Sequence, residues 1–170
     1  MRVRLTSKSM VEKYESKKRL RHFVHSIRHN RYLFLSVLLM ILIFLLSSQN
    51  ASESSKLSTA LADFIGLNTI KFINIRKLAH FTLFGLLGGC VFTHIRFMRH
   101  FKNKLSYYGL AFIVTILYAI SDEIHQLFVS GRGSSIIDVG IDSLGCIVVL
   151  MINFIIISLL EHRDKRKEIN

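Results

Sequence analysis

A chain of 170 residues that is 51% hydrophobic has the length of one domain. Its apolar residues form four long runs, not the shorter periodic segments of a soluble core. The net charge of +12 and pI near 10.1 would suit a nucleic-acid binder. However, the basic residues lie outside the apolar runs and not on one face with interleaved aromatics, so nucleic acid is set aside as a partner.

Residues 1–31 carry ten Lys and Arg and show no apolar face. They read as a basic cytoplasmic segment lying against anionic lipid headgroups, each basic residue near the surface adding about 1 kcal/mol. No role is assigned to His22, His25 or His29 within it. The first apolar run, 32–46, continues into Ser47 and Ser48. A basic stretch, an apolar core and then Ser-Ser-Gln-Asn-Ala has the outline of a signal peptide. Yet the preceding segment is too long for an ordinary leader and further runs follow, so a retained transmembrane helix is expected.

The next stretch, 49–77, is the only long loop. Leu57, Leu61, Phe64 and Ile65 recur at helical spacing, as do Ile70 and Ile73. This predicts a short amphipathic helix, on the outer leaflet or packed on the bundle. The second span is read at 78–97, with Gly85, Gly88 and Gly89 as small residues that allow close helix approach. The third span is read at 107–128 and the fourth at 136–160, followed by a cytoplasmic tail, 161–170. There is no proline to break these helices and no tryptophan, which leaves Tyr32 and Tyr107 as the interfacial aromatics. Cys90 and Cys146 each lie inside an apolar run with no CxxC pair, so they read as buried small residues, not a disulfide or zinc framework.

The expected fold class is therefore all-α: a four-helix transmembrane domain over 32–160 with an outer amphipathic helix. Lys and Arg set its orientation. The 96–104 loop and the 161–170 tail each carry four, which with residues 1–31 makes 18 on one side, against five on the other (Lys56, Lys71, Arg76, Lys77 and Arg132). Both termini are then expected in the cytoplasm.

The remaining ionisable residues converge. Arg76, Lys77 and His80 open the second span; Asp122, Glu123, His125 and Gln126 close the third; Arg132 lies in the turn that follows; Asp138 and Asp142 open the fourth. Alternating span direction carries them all to the outer end. Spacings of three and four put each group on one helical face. A charge facing acyl chains costs about 2.5–3.5 kcal/mol even on the lenient scale, so three such stripes are expected to turn inward into one pocket. The plainer alternative is an ion-pair network that only locks three helices together. Gly131 and Gly133 beside Arg132 allow a tight turn, and Ser134 or Ser135 is a candidate cap for the fourth helix.

Taken together, Arg-Lys-Leu-Ala-His-Phe at 76–81, Ser-Asp-Glu-Ile-His-Gln at 121–126, Gly-Arg-Gly at 131–133 and the Asp138/Asp142 pair resemble the VanZ-like family, as does Ser-Ser-Gln at 47–49. The resemblance spans about 33–160. One departure is Asp142, where the family often has Asn. The resemblance implies a small, multi-pass protein of the bacterial cytoplasmic membrane, from a family named for a member linked to teicoplanin resistance.

Two functions follow from the residues. In the first, the pocket binds an anionic envelope ligand, such as a lipid-linked wall precursor or a lipoglycopeptide, through Arg76, Lys77 and Arg132. In the second, His80, Glu123 and His125 act as acid and base on a lipid-linked substrate, or the two histidines with Asp138 and Asp142 hold a divalent metal. No nucleophile elbow, P-loop or HExxH string is present, and no cofactor is expected. Four spans without an inverted repeat or a broken helix argue against a transporter, although a homodimer would lift part of that objection.

Overall fold

The computed structural model describes residues 7–65, 75–98, 101 and 103–169. Among them are five helices and no strands: α1 (Ser7–Ser47), α2 (Ala51–Ile65), α3 (Ile75–Met98), α4 (Lys104–Gln126) and α5 (Ile136–Ile169). Four are long and apolar enough to cross a membrane: α1 over Asn30–Ser47, all of α3 and α4, and α5 over Ile136–Arg166.

Local sequence explains where the helices start and stop. α1 contains no Gly or Pro, so nothing interrupts it between the basic segment and the apolar run. The expected boundary at residue 32 therefore falls inside one helix of 41 residues, about 62 Å long. Asn50 caps α2: its Oδ1 accepts from the Glu53 N–H at 2.9 Å. The acidic Glu53 also sits in α2's first turn, where the helix dipole favours it. α2 is the helix anticipated in the long loop. Its Phe64 is 90% exposed and faces away from the bundle; Ile70 and Ile73 lie outside the described residues. Asn103 caps α4 by accepting from the Leu105 N–H at 3.0 Å, which starts that helix at Lys104 instead of residue 107. α5 runs past residue 160, so most of the 161–170 tail is helix.

α3 sits at the centre, packed against α1, α4 and α5. Its Phe84, Leu87 and Phe92 are buried in one apolar core with Ile43, Ala111, Ala119 and Cys146. The α3–α5 contact is the tightest. A Cβ on Gly145 would fall on the Phe81 carbonyl oxygen, and one on Gly88 would lie 2.5 Å from Cys146 Sγ. Small residues here bring two backbones together. That contact fixes how the first turns of α3 and α5 stand relative to each other. At the other end of α3, Tyr32 stacks on Phe97 with ring centroids 5.9 Å apart. Nearby, the Tyr107 hydroxyl donates to the Phe101 carbonyl at 2.9 Å.

Candidate functional site

The last turn of α4 supplies a buried polar hub. Asp122, Glu123 and Gln126 are all buried, Gln126 completely. The Gln126 amide donates to Asp122 Oδ2 at 3.0 Å and to Glu123 Oε1 at 3.2 Å. Its Oε1 accepts from Arg76 Nη2 at 3.3 Å. The Ser47 hydroxyl, at the end of α1, donates to Asp122 Oδ2 at 2.8 Å. Glu123 Oε2 accepts the Ser135 N–H at 2.8 Å. Ser135 O in turn accepts from the N–H groups of Asp138 and Val139, which makes Ser135 the N-cap residue of α5. A carboxylate at a helix N-terminus is favoured by both the free N–H groups and the dipole. One network thus joins α1, α3, α4 and the start of α5.

In front of this hub lie two cavities. The first, lined by Arg76, Lys77, His80, Glu123, Asp138 and Asp142, has a volume of about 10 Å³, room for a single water. Lys77 Nζ is 2.8 Å from Asp138 Oδ1. His80 Nδ1 stands 3.7 Å from Asp142 Oδ2, an ion-pair distance too long for a hydrogen bond. Asp142 is fully buried, and neither of its oxygens accepts a hydrogen bond from the described residues. A buried acceptor in that condition is a place where a water or a ligand is wanted.

The second cavity, about 60 Å³, is lined by Arg76, His80, Arg132, Gln49 and Ser54, with Leu46, Leu57 and Leu83 among its apolar residues; no carboxylate among the described residues lines it. Arg132 reaches it from the turn after α4. Its Nη1 donates to Ser47 O at 3.1 Å and its Nη2 to Leu46 O at 3.3 Å, satisfying the free carbonyls at the end of α1 with a cation. Burial, reinforced by Arg76, pushes the Arg132 guanidinium below its ordinary pKa, while Asp122 and Glu123 oppose the shift. Arginine stays charged all the same. Gly131 makes this placement possible: its φ of 73° is left-handed, and a Cβ there would lie 3.1 Å from Ala51 Cβ at the start of α2.

The charged residues gather at one end of the bundle, as the span directions require, but not in the single chamber expected. They divide between two cavities that share Arg76 and His80. Asp122 and Gln126 stand behind both, in the hub. His125 lines neither: its ring stacks on Phe44 of α1, centroids 4.4 Å apart. At about 100° per residue, Glu123 and His125 point about 160° apart on α4, so one pocket cannot take both. The metal alternative needed both histidines, and no group of three His, Cys, Asp or Glu among the described residues could hold a metal ion.

Sequence reasoning missed α1 as a wall of the site. Ser47 is completely buried, and it holds Asp122 through its hydroxyl and Arg132 through its carbonyl. The signal was a serine closing an apolar run, within the Ser-Ser-Gln string.

The architecture defines an all-helical bundle with four apolar helices of membrane-crossing length and a polar network closing one end. A family model described as VanZ/LLP1 matches residues 32–157, and the chain belongs to that family. The match runs from the apolar part of α1 into α5 and takes in every residue of the site. No curated protein and no solved structure matches the chain.

Proposed function

We propose that the protein spans the bacterial cytoplasmic membrane four times, with both termini inside, and that its polar end opens at the outer leaflet to bind an anionic envelope ligand. Embedding accounts for the apolar side chains left outside the bundle, such as Phe34, Leu117 and Ile137, which are 67%, 60% and 66% exposed. The excess of Lys and Arg on one side supports the orientation.

The observation that carries the binding reading is the second cavity, where Arg76, Arg132 and His80 meet with no carboxylate among the described lining residues. Guanidinium groups recognise phosphate and carboxylate by paired hydrogen bonds. A cavity of about 60 Å³ takes a headgroup phosphate or a carboxylate, not a whole precursor. Its leucines offer an apolar wall to the attached lipid. The ligand class is a lipid-linked wall precursor or a lipoglycopeptide, and its capture would contribute to glycopeptide resistance. In a deletion strain, wild type is expected to restore the teicoplanin susceptibility profile and Arg76→Gln is not. Full restoration by Arg76→Gln and by Arg132→Gln would sink this reading.

One observation favours acid–base catalysis as a second reading: His80 and the unbonded carboxylate of Asp142, 3.7 Å apart, line one water-sized cavity together with Glu123. Turnover of lipid pyrophosphates that disappears in His80→Gln would establish it. Under that reading His125→Gln is silent.

A further inference from the structure

At the end of the bundle away from the polar network, α4 and α5 part. A groove of about 490 Å³ lies between them, walled by Leu105, Phe112, Ile147, Met151 and other apolar side chains. It adjoins a cavity of about 240 Å³ whose lining includes Arg96, Lys104 and Glu161; Tyr108 and Phe154 line both. The Tyr108 ring stacks on Phe92 at 4.3 Å and meets Phe154 edge-on at 5.8 Å, forming an aromatic threshold between the charged mouth and the apolar groove. Gly109 leaves part of the groove open. A Cβ there would meet nothing within 4 Å, so close packing does not require this glycine. From Glu161 to Ile147, α5 rises about 21 Å, which matches one leaflet of a core about 30 Å thick together with its headgroup layer.

We propose that the groove seats an acyl chain of an anionic phospholipid whose phosphate lies in the cavity at Arg96 and Lys104. Lys104 Nζ is 2.6 Å from Glu161 Oε1. Among the described residues two cations face one carboxylate, which leaves the mouth with one net positive charge and suits a headgroup of net negative charge over a zwitterionic one. In the proposed orientation the mouth faces the cytoplasmic leaflet, where anionic lipids create the negative surface potential. This site rests on the membrane embedding proposed above, but not on the anion cavity at the other end.

The test uses the full chain in phosphatidylcholine bilayers containing a trace of spin-labelled phosphatidylglycerol or spin-labelled phosphatidylcholine. The readout is the fraction of label immobilised by the protein. Wild type is expected to favour phosphatidylglycerol by about fivefold, the value of one basic residue near the surface. Arg96→Gln, an exposed change, is expected to equalise the two lipids. Gly109→Leu, directed into open space, is expected to remove the immobilised fraction for both. Equal immobilisation of both lipids by wild type, with no effect of Gly109→Leu, would overturn the site while leaving the embedding intact. A dimer by sedimentation that Gly109→Leu dissociates would overturn it in favour of a second copy in the groove. Recovery of the folded chain in water without detergent would overturn the embedding and the lipid site together.

Discussion

α5 meets its two neighbours on opposite terms. Against α3 it packs through Gly145 and Cys146 so closely that an added Cβ has no space. Against α4 it leaves a groove of about 490 Å³, and Gly109 faces nothing. The close contact fixes the register of α3 and α5, and hence how Lys77 and His80 face Asp138 and Asp142. The open contact fixes little and leaves space for a guest. The two ends of the bundle differ in the same way. At one, polar side chains are buried and bonded to each other; at the other, the Lys104–Glu161 pair is exposed on both partners.

The largest expected effect breaks this comparison at its two glycines. Gly145→Val drives side-chain atoms into the Phe81 backbone and is expected to cost about 3 kcal/mol or more, read as thermal stability of the purified protein. Gly109→Ala has open space before it and is expected to be neutral or stabilising by up to about 1 kcal/mol. Similar losses at both positions would mean that the two faces of α5 do not differ.

A smaller effect contrasts the two ends. Glu123→Ala strips the Ser135 N–H and the Gln126 amide of an acceptor, for an expected loss of about 1–3 kcal/mol. Lys104→Gln breaks an ion pair in water and is expected to leave the melting temperature unchanged. Smaller again, Ser47→Ala removes one donor to Asp122, whose Oδ2 still accepts from Gln126; about 1 kcal/mol is expected. A double-mutant cycle with Asp122→Asn should show that this energy is shared between the two residues. Additive effects would mean that α1 is not tied into the network.

Much of the architecture was legible in the sequence because its signals are local. Four apolar runs gave four long helices, and spacings of three and four put Asp122, Glu123 and Gln126 on one buried face. A serine cap was legible because Ser134 and Ser135 directly precede the fourth run, and the structure assigns it to Ser135. Harder to read was anything set by how helices approach one another. His125 lies three residues from Asp122, within the nominal stripe, yet it falls at the edge of that arc and turns to Phe44 of α1. Arg132 looked like a pocket cation. It also closes the end of α1, a role visible only once α1 is known to lie beside the turn. Arg76, held toward Gln126, lines both cavities, and helical periodicity carries no information on that.

Anion binding as proposed requires Arg76 and Arg132 to meet the ligand in the cavity between α1, α2 and α3. The most direct measurement is equilibrium binding of a polyprenyl phosphate to the reconstituted full chain, compared across wild type, Arg76→Gln and His125→Gln. Loss of a charged hydrogen bond predicts affinity about 10- to 100-fold weaker for Arg76→Gln, with His125→Gln binding as wild type. Undiminished binding by Arg76→Gln, or an equal loss in His125→Gln, would contradict it.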